Sequence, residues 1–289
     1  MRYNWMILIL LILILCISCA KTDDKPTTID SSKINADLRR AAESGNIDEV
    51  RTLLDADAEV NAADDDGFTA LIGALVEGHT DIAKLLIEAG ADVNAQNDLG
   101  ATALMLASGL GLTDMARLLI EAGADVNAQN DLGETALMWA SQEGHLEVAR
   151  LLIEGGSDVN AQSNNGYTAL LVASQKGYIE IAKLLIEEGA DVTAQNDLGE
   201  TALMAASGLG LTDMARLLIE AEADVNTKTK DGWTALMTAS SYGKTDVVKL
   251  LIEAGADVNA QSNYGATALM LASGLGLTDM ARLLIEAGA

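Results

Sequence analysis

Residues 100–132 read GATALMLASGLGLTDMARLLIEAGADVNAQNDL, and the frame of this stretch returns every 33 residues. Its opening glycine recurs as Gly67, Gly100, Gly133, Gly166, Gly199, Gly232 and Gly265 without an insertion anywhere. Two residues later stands Thr-Ala-Leu, at Thr69, Thr102, Thr135, Thr168, Thr201, Thr234 and Thr267. Seven copies in register describe an array of stacked supersecondary units, not one globular core.

Each unit has a local logic. The glycine before each Thr permits the positive φ of a tight turn, and Asp66, Asp98, Asp131, Asn165, Asp197, Asp231 and Asn263 beside it favour that turn through local hydrogen bonds. Thr is placed to cap a short first helix with its hydroxyl. A second glycine, such as Gly111 or Gly144, ends that helix and lets the chain reverse. The second helix carries apolar residues at helical spacing, as in Ile82, Leu85 and Leu86 or Met115, Leu118 and Leu119. One such pair cannot bury both of its faces, so neighbours must complete the core.

From residue 33 to 289 these motifs closely resemble the ankyrin repeat. The resemblance implies an all-α repeat solenoid of helix-turn-helix units, joined by β-hairpins or loops at a 33-residue period. It also implies a non-catalytic protein-binding role. The chain departs from the family pattern in having Thr-Ala-Leu followed by Met, Leu or Ile where the family has Thr-Pro-Leu-His, so more of its cohesion must come from apolar packing. Glu222 replaces the glycine that follows the second helix at Gly90, Gly123, Gly156, Gly189, Gly255 and Gly288, which marks the fifth unit as a weak link.

The ends differ from the middle. Residues 33–64 form a degenerate unit whose Arg39, Arg40, Glu43 and Arg51 give the wettable face of an amino-terminal cap. Residues 65–289 hold the seven repeats, the last one truncated and uncapped, which leaves open self-association through it. Upstream, Arg2 and the apolar run from Trp5 to Leu15 read as a signal peptide. That run spans roughly 16–20 Å as a helix at ~1.5 Å per residue, short of the ~30 Å hydrocarbon core.

Ile17-Ser18-Cys19-Ala20 resembles the lipobox of bacterial lipoproteins, with Cys16 standing where that family usually has Leu. The expected processing is lipidation of Cys19, giving a signal peptide of residues 1–19 and a polar tether of residues 20–32 that carries Pro26. The alternative is ordinary cleavage after Ala20, which releases a soluble periplasmic or secreted protein. Cys16 and Cys19 are the only cysteines, so thiol chemistry and disulfides are excluded from the array. A net charge of −25 makes nucleic acid and anionic lipid surfaces poor partners, leaving the anchor as the membrane link.

The seven copies serve as an internal alignment. The residue after the turn glycine varies through Phe68, Ala101, Glu134, Tyr167, Glu200, Trp233 and Ala266. The end of the first helix varies through Glu77, Leu110, Glu143, Lys176, Leu209, Tyr242 and Leu275. In the family resembled, both sets look towards the concave side, which makes them the candidate partner surface. Trp139 joins them from a variable first-helix slot, and Tyr264 from a turn. Large aromatics there, Trp233 and Tyr242 above all, are typical binding anchors, although many ankyrin repeats carry an aromatic after the turn glycine only to pack on a neighbour. Leu99, Leu110, Leu198 and Leu209 belong to near-identical units and look like recent duplications.

No catalytic, cofactor or metal motif appears, and no cofactor is expected. His79 and His145 each follow a loop glycine, where ankyrin repeats often have a structural His. The expected protein is a scaffold of the bacterial cell envelope that binds a protein partner. The alternative is a self-associating spacer lipoprotein.

Overall fold

A computed structural model describes residues 31–289. The expected signal peptide, Cys19 and the tether up to residue 30 lie outside the described residues. Among the described residues sixteen helices follow one another in pairs. The inner helices are α1 (Ser31–Glu43), α3 (Ala70–Val76), α5 (Ala103–Gly109), α7 (Ala136–Glu143), α9 (Ala169–Lys176), α11 (Ala202–Leu209), α13 (Ala235–Ser241) and α15 (Ala268–Gly274). The outer helices are α2 (Ile47–Asp55), α4 (Thr80–Glu88), α6 (Thr113–Glu121), α8 (Leu146–Glu154), α10 (Ile179–Glu187), α12 (Thr212–Glu220), α14 (Thr245–Glu253) and α16 (Thr278–Glu286). Inner helices stack on inner and outer on outer, so the chain is an all-α repeat solenoid.

Helix α1 begins at Ser31, so the last two residues of the expected tether are helical. The expected hairpins are turns rather than paired strands, and a single bridge between Gln96 and Thr102 is the only β pairing among the described residues. The reason is length. Two or three residues on each side of a tight turn leave no room for a ladder within one unit.

Local chemistry sets the helix limits. In all seven repeats the Thr hydroxyl accepts from the backbone N–H three residues on, at 3.2–3.4 Å. These bonds satisfy donors that a helix start leaves free. At the far end of the inner helices, Gly111 and Gly144 take φ of +70° and +84° and reverse the chain.

Burial separates the two helix types. In α5 every residue from Ala103 to Ser108 is buried, as expected for a short helix packed on both sides. In α6 the buried stripe is Met115, Ala116 and Leu119, while Asp114, Arg117 and Glu121 face water. The core is therefore continuous along the stack, built mostly from Ala and Leu with Val, Ile and Met.

Asparagines tie the outer loops together. Asn94 donates through Nδ2 to Gly123 O at 3.4 Å and accepts at Oδ1 from Asp125 N at 2.8 Å. Asn61, Asn127, Asn160 and Asn226 make the same pair of bonds to the following unit. Thr193 breaks the series, because its hydroxyl turns back to Asp191 at 2.7 Å. The loop it would have held is that of Glu222, which takes φ +68°. Asp57 takes the same conformation in the first unit, at φ +59°.

Candidate interaction surface

The loops between units are closed by a buried or half-buried polar side chain. Asn97 Oδ1 accepts from Leu99 N at 3.0 Å and Ala101 N at 2.9 Å, and Gly100 N donates to Asn97 O at 2.8 Å. Asn130 and Asn196 do the same in their own turns. With its backbone held from inside, the residue before the glycine has nowhere to point except outward.

These tips are bonded to one another. Asp98 N donates to Asp66 O, Asp131 N to Leu99 O and Asn164 N to Leu132 O, at 3.2, 3.1 and 2.9 Å. The series continues through Asp197 to Asn165, Lys230 to Leu198 and Asn263 to Asp231, at 2.9, 3.0 and 2.9 Å. The approach is close enough that a Cβ on Gly100 would meet Asp131 N at 2.8 Å, which requires glycine there. The result is one unbroken crest, on which Asp66, Leu99, Leu132, Asn165, Leu198, Asp231 and Tyr264 stand exposed.

The residues named from sequence divide into two groups. Phe68, Tyr167 and Trp233, which follow the turn glycine, are half-buried, and the Tyr167 and Trp233 backbones are bonded to Ser163 and Thr229. Glu134 is occupied: its Oε2 accepts from Asn130 Nδ2 at 2.9 Å and from Trp139 Nε1 at 3.1 Å. The half-buried Trp139 ring lies over Gly109 of the preceding inner helix. Glu200 accepts from Asn196 at 2.8 Å, and Glu143 from Gln142 at 3.2 Å. Glu77 and Lys176 are exposed at the ends of α3 and α9, and Tyr242 and Tyr264 are 67 % and 82 % exposed.

Sequence reasoning set the crest residues Leu99 and Leu198 aside as marks of duplication and did not name Leu132. Leu99, Leu132 and Leu198 are 57 %, 37 % and 62 % exposed, and Leu110 and Leu209 project from the ends of α5 and α11. The signal was present: the position before the turn glycine varies through Asp, Leu, Asn and Tyr among the copies. The near identity of units 98–124 and 197–223 made their leucines look like marks of duplication, which hid it.

His79 and His145 serve packing. Each ring brings Nε2 within 3.1 Å of a carbonyl of the preceding unit, Glu43 O and Gly109 O. Among the described residues no group of three or more His, Cys, Asp or Glu is arranged to hold a metal ion. None of the described helices is long and apolar enough to cross a membrane.

Charge is unevenly distributed over the array. Lys84, Arg117, Arg150, Lys183, Arg216, Lys249 and Arg282 occupy one exposed position of the outer helices. Three of them lie within 4 Å of the acid three residues earlier, in Lys183–Glu180, Lys249–Asp246 and Arg282–Asp279. The crest between Asp64 and Asp131 carries carboxylates alone.

A family model described as ankyrin repeats (three copies) matches residues 38–130, 104–196, 155–229 and 203–289. No curated protein matches the chain.

Proposed function

The chain belongs to the ankyrin-repeat family, and on that premise we propose that it is a non-catalytic scaffold of a bacterial cell envelope that holds a protein partner against its tips and inner helix ends. Ankyrin repeats generally mediate protein–protein interaction, and proteins built from them are typically non-catalytic. The observation that carries the reading is the continuous, hydrogen-bonded crest of exposed side chains that vary from unit to unit on an invariant frame. Packing accounts for the frame and leaves the crest unexplained. The envelope address rests on Arg2, the apolar run from Trp5 to Leu15, and Ser18-Cys19.

The test of partner binding is capture from an envelope extract by the whole chain, beside a Tyr242→Ala/Tyr264→Ala variant. Both side chains are exposed, so the fold is expected to survive. One protein retained by the parent and lost by the variant supports the reading; failure to retain any protein overturns it. The anchor is tested separately by Cys19→Ala. The variant is expected to move from the membrane to the soluble fraction, and a parent that is already soluble favours cleavage after Ala20.

A second reading, association of two copies through the last repeat, is favoured by the exposure of Met270, Leu275 and Ile285 at 61 %, 57 % and 58 %. Mass in solution that rises with concentration, and is reduced by Met270→Ser, distinguishes it from the first.

A further inference from the structure

The proposed function leaves the chemistry of the partner open. We infer that the first three tips, with Leu99 and Leu132 at their crest, form a docking row for a polypeptide segment that carries Lys or Arg between apolar residues; this rests on the protein-binding reading above.

Three observations meet at this place. Leu99 and Leu132 occupy neighbouring tips joined by the bond from Asp131 N to Leu99 O, and both are exposed. Leu110, at the end of α5, is a further exposed leucine of the second repeat, at 44 %. Single exposed leucines are ordinary, whereas a contiguous row on a rigid ladder is the kind of surface that a partner covers.

The second observation is the sign of the charge. Between Asp55 and Gln175 the only Lys or Arg residues are Lys84, Arg117 and Arg150, all on outer helices, where acids three residues earlier accompany them. Asp66, Asp98 and Asp131 flank the leucines and stand exposed; a cation meets the row at its first tip, where Arg39 Nη1 donates to Ala62 O at 3.4 Å. Carboxylates repeated at each step of the ladder repel one another, and a cationic segment laid along the row relieves that repulsion while its apolar residues cover the leucines.

The third observation bounds the row. Asn164 and Asn165 replace the acid and the leucine at the fourth tip, and Lys228 and Lys230 bring positive charge near the sixth. Leu198 repeats the motif once beyond the gap. Tips stack at roughly the 8–10 Å of packed helices, and a chain in the polyproline II conformation advances about 3.1 Å per residue with three residues per turn, so apolar residues at every third position face adjacent tips.

The probe is a synthetic peptide repeating Leu-Lys-Lys, titrated against the whole chain by fluorescence anisotropy beside a Ser-Lys-Lys peptide and a Leu-Glu-Glu peptide. The Leu-Lys-Lys peptide is expected to bind at least about tenfold tighter than Ser-Lys-Lys, and a Leu99→Ser/Leu132→Ser variant to lose that margin. Asp98→Asn/Asp131→Asn, which keeps the leucines, is expected to weaken binding and flatten its salt dependence. Circular dichroism of both variants checks that the array remains folded. Equal binding of the two lysine peptides, an unchanged affinity in the leucine variant, or no binding of either peptide overturns the inference. A natural partner captured equally by the Leu99→Ser/Leu132→Ser variant also overturns it while leaving the protein-binding reading intact.

Discussion

Thr193 and Glu222 lie at one joint and weaken it by different means. Thr193 gives up the two cross-unit bonds that asparagine makes elsewhere, and Glu222 holds a side chain in backbone space that the other repeats give to glycine. Glu222→Gly is expected to raise stability by about 1 kcal/mol. Thr193→Asn is expected to add about 1 kcal/mol more by restoring the staple. Urea unfolding of the single and double variants measures both, and a loss of stability in either would count against the account. Asp57 in the first unit has the same strain, and the sequence pattern did not expose it because that unit is degenerate.

Two classes of buried serine also separate at this scale. Ser108 and Ser207 donate to Leu104 O and Leu203 O at 2.6 Å, whereas the hydroxyls of Ser141, Ser174 and Ser240 are buried without a partner. Ser141→Ala is therefore expected to be neutral or stabilising by about 1 kcal/mol, and Ser108→Ala to be the costlier change. Thermal midpoints of the two variants give the comparison directly.

Glu43 supplies a pH-dependent term. Burial raises its carboxyl above the ordinary value of 4.5, the Asp64 and Glu77 carboxylates add to the rise, and Arg39 and Arg40 oppose it. The folded state thus binds this proton more tightly than the unfolded chain. The contribution is fully present below 4.5 and is lost as pH rises through the folded value. A carboxyl-resolved NMR titration is expected to give a midpoint above 4.5, and Glu43→Gln to remove this part of the stability profile.

At the scale of the element, much was legible in sequence. Thr at a fixed offset from Gly announces a capped helix because only the hydroxyl reaches the free N–H, and all seven caps form. The hairpins were less legible. Glycine and Asx residues announce a turn, but which flanking residue projects depends on the hydrogen bonds inside it. The Asn97 side chain decides this by holding Leu99 N and Ala101 N together, which sends residue 99 outward and sinks residue 101. Trp139 illustrates the same limit. Its slot varies among the copies, yet its indole is engaged by Glu134 and its ring covers Gly109.

For the whole molecule, stability is close to a sum over units and joints, so a defect at one joint need not unfold the rest. Hydrogen exchange is expected to show its weakest interior protection in the loops that hold Thr193 and Glu222. Protection there equal to that of the loop at Asn127 would contradict this. The net charge of −25 adds a diffuse penalty to the compact state. The thermal midpoint is accordingly expected to rise as sodium chloride is added from low ionic strength.

The ladder of tips has a meaning for heredity as well as for mechanics. Each unit offers its carbonyl to the next and takes one from the last, at the same offset every time. A stretch of coding sequence one period long can therefore be copied or dropped by recombination between its near-identical neighbours while every bond in the crest finds a new partner. Units 98–124 and 197–223, which differ at only a few positions, have the look of such an exchange. The length of the array is then something a lineage can adjust in whole steps, and the same step moves an exposed leucine to a new place along the row.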